Sequence, residues 1–355
     1  MTAPPKGPMH LGWRPFHAQQ LALEDLEACY LARVAGVHRS GIDAWCEQGL
    51  IALAVPREMQ RHGVGAVLTV GDWVLVDRDA PRVRRRLERF SAIVRVAAGS
   101  DARQQAIAAN LDTLFVVTSC NQDFNPSRLE RYMAVALDAR VEPVILLTKA
   151  DLCEDPSVYI ARAKESAPRA EVVALNATLS SDCYALLDRW LAPGQTVAFV
   201  GSSGVGKSTL VNALTGAERQ ATAAIREDDS RGRHTTTARE LIPMPNGAWL
   251  IDTPGMRELR IGAVEEGVDA AFSDVKALAR GCRFRDCKHG RDDGCALAAA
   301  IADGRLDPRR LASYLKLERE AARATRTLRE RRESERRMGK LYRAVQDRRR
   351  KDRDA

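Results

Sequence analysis

The stretch Gly201-Ser202-Ser203-Gly204-Val205-Gly206-Lys207-Ser208 fits the pattern G-x-x-x-x-G-K-[ST], and its flanks decide the fold: the apolar run TVAFV (196–200) precedes it and STLVNALTG (208–216) follows. A strand that feeds a glycine-rich loop and then a helix is a cradle for phosphate. The glycines let main-chain NH groups wrap the anion, Lys207 neutralises the β and γ phosphates, and Ser208 supplies a Mg²⁺ ligand. The start of the helix adds its partial positive charge. Residues 201–208 and the adjoining Thr209 are therefore read as nucleotide-binding.

A second carboxylate near Mg²⁺ is expected from the end of another strand, and WLIDTPG (249–255) provides one. Asp252 is assigned to Mg²⁺ through water, and the Gly255 main chain to the γ-phosphate. Between the two motifs lies RGRHTTT (231–237), which has the length and composition of a switch loop; Thr236 is the threonine assigned to Mg²⁺. Taken alone, that stretch reads better as an ordinary hydrophilic loop with His234 simply exposed; only its neighbours make it a candidate switch.

A phosphate loop does not separate GTP from ATP; a base reader does. Thr148-Lys149-Ala150-Asp151 follows the apolar VEPVILL (141–147), as the guanine-reading N/T-K-x-D pattern requires. The Asp151 carboxylate would accept from guanine N1–H and the 2-amino group, a pair of donors that adenine lacks, while the Lys149 stem covers the base. Farther on, Asn176-Ala177 follows AEVVAL (170–175), and the Ala177 NH is assigned to guanine O6. The usual residue before that alanine is serine, so the match is partial. Ordinary GTPases run phosphate loop, switch threonine, D-x-x-G, base reader, alanine loop. Here the last two come first, so the domain is read as circularly permuted, with both γ-phosphate sensors leading straight into the C-terminal region.

Working outward, strand and helix patterns alternate from about Asn110 to Ile261, which implies a parallel sheet covered by helices on both faces. Asn125-Pro126 is a helix start, cap followed by proline. Upstream, runs such as AVLTVGDWVLVD (66–77) give several short strands, which suit a small barrel; an OB-like barrel fits a nucleic-acid function, although periodicity does not separate it from an SH3-like one. The basic run Arg82 to Arg89 would add positive charge there. The expected architecture is multi-domain: an N-terminal extension over 1–30, read as mobile; an OB-like β-barrel over 31–105; a circularly permuted α/β P-loop GTPase domain over 106–262; and a zinc-binding, basic helical C-terminal domain over 263–355. In the last, Leu311, Tyr314, Leu315 and Leu317 form a short apolar stripe.

Cys282-x4-Cys287-x-His289-x5-Cys295 offers three thiolates and one imidazole within fourteen residues, the ligand set of a closed structural Zn²⁺ site. A catalytic zinc keeps an open position, so four protein ligands argue for a structural one. Reactive thiols beside an incidental histidine are the competing reading. Cys29, Cys46, Cys120, Cys153 and Cys183 are scattered and read as small core residues.

With 355 residues and 45% hydrophobic content the chain can bury more than one core. No apolar run approaches the roughly 20 residues that span a bilayer, and the start, MTAPPKGPMHLGWRPF, lacks a signal-peptide core, so a soluble cytoplasmic protein without membrane contact is expected. The formal net charge is +8, and residues 326–355 hold thirteen Lys/Arg against six Asp/Glu. Such a tail is an electrostatic footprint for nucleic acid, or else a solvated helix with internal ion pairs. A monomer is expected.

Together these residues resemble the ribosome small-subunit-dependent GTPase A family: barrel, T-K-A-D, G-S-S-G-V-G-K-S, G-R-H-T-T-T, D-T-P-G and the C-x4-C-x-H-x5-C knot, over roughly residues 30 to 345. The resemblance implies a late factor in assembly of the 30S ribosomal subunit that binds GTP and GDP, contacts 16S rRNA near the decoding region, and hydrolyses GTP weakly until the subunit stimulates it. It also implies that His234 is catalytic, because Met256 stands where Ras-like GTPases carry the glutamine that orients water. Gly204 stands where potassium-dependent GTPases carry asparagine, so no K⁺ activation is inferred. The alternative reading is a GTP-regulated nucleic-acid-binding module of another pathway with little hydrolysis.

Overall fold

The computed structural model describes residues 7–38, 41–60, 68–96, 104–216, 239–252, 264–289, 293–325 and Glu330. His234, Thr236, Gly255, Met256 and nearly all of the basic tail lie outside the described residues.

Residues 7–28, which fall in the extension read as mobile, are packed against the rest of the chain. A 3-10 turn (Pro8–Leu11) and the helices α1 (Pro15–Ala18) and α2 (Leu23–Ala28) lead into β1 (Cys29–Val37). Leu11 and His17 are fully buried. The buried Arg33 of β1 donates to the Leu11 carbonyl at 2.5 Å and the Asn110 carbonyl at 3.0 Å, and Trp249 donates its indole NH to the His10 carbonyl at 2.7 Å. Arg14 pairs with Asp112. Burial, against an opposing hydrogen bond from Asn110, pushes the His17 pKa down to about 4, so this imidazole is neutral at neutral pH. This stretch is a strap seated across the joint between the barrel and the central sheet, and its prolines Pro8 and Pro15 open helical turns, where a missing main-chain NH costs nothing.

The barrel continues with β2 (Gly41–Cys46), β3 (Gly49–Ala54), a short helix α3 (Arg57–Gln60), β4 (Trp73–Asp77) and β5 (Val83–Arg86). Strict alternation turns Ile42, Ala44 and Cys46 inward along β2. The strand order is β3-β2-β1-β4-β5, antiparallel throughout, and a parallel bridge between Ala54 and Arg82 joins the end of β3 to the entrance of β5. A five-stranded sheet closed in that way is the OB arrangement. The basic run is less of a free cationic patch than its sequence suggests: Arg82 and Arg84 meet Asp77, Arg85 meets Asp25, and Arg89 meets the buried Asp72.

A hairpin of β6 (Ala92–Val96) and β7 (Gln104–Ala109) leads into the central sheet. Its strands are β8 (Thr113–Ser119), β9 (Glu142–Thr148), β10 (Glu171–Ala174), β11 (Thr196–Val200), β12 (Glu240–Pro243) and β13 (Trp249–Asp252). The order is β10-β9-β8-β11-β13-β12, with only the edge strand β12 antiparallel. Counted from β11, the phosphate-loop strand, the sheet reads 6-5-4-1-3-2. Permutation has moved the chain ends without moving the strands in space. The near-continuous apolar runs of β8, β9 and β11 are buried on both faces by helices α4 (Pro126–Asp138), α5 (Pro156–Ser166), α6 (Ser180–Leu187) and α7 (Lys207–Thr215). Asn125 caps α4, its Oδ1 accepting from the Arg128 NH at 3.0 Å.

The C-terminal region, α8 (Glu265–Ala271), α9 (Ser273–Ala279), α10 (Ala296–Ala302) and α11, described over 308–325, packs on α4. Gly267 comes so close that a Cβ there would collide with the Ala134 carbonyl, and its NH donates to Asp138 at 3.2 Å. Leu311, Tyr314 and Leu317, three of the four residues of the apolar stripe, are buried. Among the described residues no helix is long and apolar enough to cross a membrane.

Candidate functional site

The phosphate loop runs from the end of β11 to the start of α7, and two of its glycines are required by geometry. At Gly201, φ is +153°, and a Cβ would collide with the Val117 carbonyl of β8. At Gly206, the N-cap of α7, φ is +91°, in the left-handed region that a side chain disfavours. Val205 is buried, whereas Ser203 and Gly204 face solvent and Ser202, Lys207, Ser208 and Thr209 are half-buried. The Lys207 ammonium donates to the Ser202 carbonyl of its own loop.

The base reader is tied to this loop directly. Thr148, wholly buried at the end of β9, donates its hydroxyl to the Val205 carbonyl at 2.6 Å, with the Thr118 carbonyl at 3.2 Å beside it. A threonine in the T-K-x-D motif thus holds the phosphate loop, while Lys149, at φ +57°, turns the chain outward. Ala150-Asp151 open a 3-10 turn, and the Asp151 side chain is exposed. Beside them, the Leu175 NH donates to the Leu147 carbonyl at 2.9 Å, which carries Asn176 and Ala177 past the end of β9.

Asn176 forms an Asx turn, its Oδ1 accepting from the Thr178 NH at 2.9 Å and the Thr178 hydroxyl at 2.7 Å. Its carbonyl accepts from the Cys183 thiol at 3.6 Å. Burial pushes that thiol up to about 11, so it stays protonated and able to donate. Asparagine in place of serine therefore still builds a rigid turn. Cys120, likewise raised to about 11 by burial, donates its main-chain NH to the Thr148 carbonyl at 2.9 Å. As expected of core residues, Cys29, Cys46, Cys120 and Cys183 are buried; Cys153 is half-buried.

Asp252 ends β13, directly beside β11, where Ala198 pairs with Ile251. Adjacent strand ends thus bring Asp252 to the side of the loop that opens α7 with Ser208. A hydroxyl and a carboxylate there are hard oxygen donors of the kind that Mg²⁺ takes.

The second cluster lies apart, between α9 and α10. The ligand atoms of Cys282, Cys287, His289 and Cys295 all fall within 4.8 Å of one another. His289 Nδ1 is 3.6 Å from Cys282 Sγ and 4.0 Å from Cys295 Sγ, and His289 takes φ +58° to reach them. Tetrahedral bonds of about 2.3 Å to sulfur and 2.0 Å to nitrogen put ligand atoms roughly 3.5–3.8 Å apart, so the donor set and its spacing suit one metal ion.

Two groups that spacing did not single out touch the phosphate loop or brace the helix beside it. Arg128, in the first turn of α4, donates to the Ser202 hydroxyl. Two residues on, the buried Glu130 accepts from Arg309 at 3.2 Å and Arg310 at 3.1 Å. Nothing local marks either residue; only the strand-to-helix turn after β8, next to the phosphate-loop strand in the sheet, gave a hint for Arg128.

The sequence profile of RsgA GTPase matches residues 86–262. A Vibrio vulnificus protein described as small ribosomal subunit biogenesis GTPase RsgA 2 is 49% identical over 336 residues, covering 95% of this chain and 94% of its own. A Mesorhizobium japonicum small ribosomal subunit biogenesis GTPase RsgA is 46% identical over 310 residues, covering 86% and 88%. Among solved structures, YjeQ from Thermotoga maritima superposes with a TM-score of 0.61 at 21% identity, covering 83% of this chain and 99% of that one. YloQ, described as a circularly permuted GTPase, gives 0.57 at 24% identity, covering 83% and 95%. These two likenesses speak to the fold. The permuted order of the sheet, the motifs at its strand ends and the length of the sequence match agree: the chain belongs to the RsgA GTPase family.

Proposed function

We propose that this protein hydrolyses GTP to GDP and phosphate while bound to the small ribosomal subunit, assists late maturation of that subunit, and leaves it on hydrolysis. The observation that supports the reading is the hydrogen bond from Thr148 to Val205, which holds the T-K-A-D strand end against the G-S-S-G-V-G-K-S loop although the chain order is permuted. The descriptions of the relatives supply the subunit. In this reading Gly201 to Thr209 hold the phosphates; Thr148 to Asp151, with Asn176 and Ala177, hold the base; and Gly255 senses the γ-phosphate. Ser208, Asp252 and Thr236 would hold Mg²⁺, which when bound neutralises phosphate charge. Contact with 16S rRNA, a monomeric state and a cytoplasmic location belong to the same proposal. Co-sedimentation with 30S particles, in GDP and in a non-hydrolysable GTP analogue, tests it: binding is expected to be tighter with the analogue, and equal binding in both would sink the switch. Turnover that 30S particles leave unchanged would favour the nucleic-acid module instead.

Asp151→Asn is expected to weaken GTP binding by about tenfold or more, the scale of a lost charge-assisted hydrogen bond, and to improve xanthosine triphosphate, whose 2-oxo group suits the new amide. Competition assays check this. ATP competing as well as GTP against the unaltered protein would disprove the base reader.

The metal is proposed to be zinc, one ion per chain, held by Cys282, Cys287, His289 and Cys295. Elemental analysis of freshly purified protein should find it. Chelation is expected to loosen the C-terminal region, seen as faster proteolysis there, while GDP affinity stays largely intact because the cluster lies apart from the phosphate loop. Zinc-free protein of unaltered stability would refute the assignment.

A further inference from the structure

Two cations converge on one residue of the phosphate loop. Lys207 donates to the Ser202 carbonyl, and Arg128, from a different element, donates to the Ser202 hydroxyl. Among the described residues Arg128 has no carboxylate partner, unlike Arg131 on the next turn, which meets Glu320, or Arg309 and Arg310, which meet Glu130. A half-buried guanidinium that leans on a hydroxyl instead of a carboxylate keeps its charge available to an anion. The contact also says which part of the nucleotide it would face. The lysine of this loop type reaches the β and γ phosphates. Ser202, touched by Lys207, therefore marks the β/γ side.

The arginine is held in place from behind. Asn125 caps the turn that carries it, Glu130 is clamped by Arg309 and Arg310, and Asp138 accepts from Gly267, so α4 is fixed at its start, middle and end. A guanidinium on a helix anchored in this way is pre-organised, which is what charge stabilisation in phosphoryl transfer requires of a protein.

We propose that Arg128 is a second phosphate-reading cation of this GTPase, supplied in cis by α4, which exchanges its hydrogen bond to Ser202 for the terminal phosphate of GTP. This rests on the nucleotide site described above. It makes Arg128 a residue that distinguishes GTP from GDP, since only GTP presents the additional charge.

The test is the ratio of affinities for a fluorescent non-hydrolysable GTP analogue and for fluorescent GDP, measured on full-length protein for the wild type, Arg128→Ala and Arg128→Lys. The expected result is a fall of about tenfold in preference for the triphosphate in Arg128→Ala, with GDP affinity nearly unchanged, and partial recovery in Arg128→Lys. Retained GDP binding doubles as evidence that the variant is folded. Equal losses for both nucleotides would show that Arg128 only shapes the loop, and an unchanged ratio would show that it does not face the phosphate; either overturns the proposal. Wild-type protein that binds neither nucleotide would instead overturn the nucleotide site itself.

Discussion

Arg310→Ala is expected to destabilise the protein by about 3–5 kcal/mol, the penalty for removing one partner of a buried ion pair. Arg310 is 4% exposed and Glu130 1% exposed, so neither reaches water to replace the other. The guanidinium donates to Glu130 at 3.1 Å, to Asp274 at 2.7 Å and to the Ser166 and Ala271 carbonyls at 2.7 and 3.1 Å, and it lies 4.7 Å from the centre of the Phe272 ring. It joins the helix α11 to α4, α5, α8 and α9 at once. Its loss leaves Glu130 with Arg309 alone, at a site that is 36% exposed on the arginine side. Chemical denaturation of the full chain measures the effect, with proteolysis reporting whether the C-terminal region detaches first. The paired replacement Glu130→Leu with Arg310→Leu should recover much of the loss, because two apolar groups leave no orphaned charge between them. A single variant that stays within the roughly ±0.5 kcal/mol scale of surface changes would mean that the network contributes nothing to docking.

His234→Ala is expected to lower the subunit-stimulated rate by roughly 10²-fold or more, a typical loss for a positioned acid, base or orienting group. Hydrolysis needs an oriented water and stabilised charge on the phosphoryl group. Met256, next to the assigned γ-phosphate sensor Gly255, offers an apolar side chain and does neither. His234 lies two residues from Thr236, the threonine assigned to Mg²⁺, so under the proposed function contact with the 30S subunit is expected to bring the imidazole to the water. Basal turnover, nucleotide affinity and 30S binding should survive the substitution. Single-turnover hydrolysis with and without 30S particles decides: full stimulation of the variant would place the catalytic group elsewhere.

The sequence by itself determined the chemistry that must be contiguous. A phosphate loop works through successive main-chain NH groups, a guanine reader through one carboxylate after one strand, and a metal knot through ligands a few residues apart, so G-S-S-G-V-G-K-S, T-K-A-D and C-x4-C-x-H-x5-C were legible as strings. Alternating apolar runs likewise announced the α/β sheet, and the motif order announced its permutation, because covalent order is what permutation changes. Only the tertiary structure decided which distant side chains meet. Thr148 holds Val205 across 57 positions, Arg128 reaches Ser202 across 74, and Arg310 reaches Glu130 across 180. It likewise revealed the strap at the N-terminus and the carboxylates that occupy the basic run of the barrel. No spacing rule encodes such pairs. Charge and hydrogen-bonding groups act over a few ångströms in space, and which groups come that close is fixed by how strands order in a sheet and how helices pack on it, not by their separation along the chain.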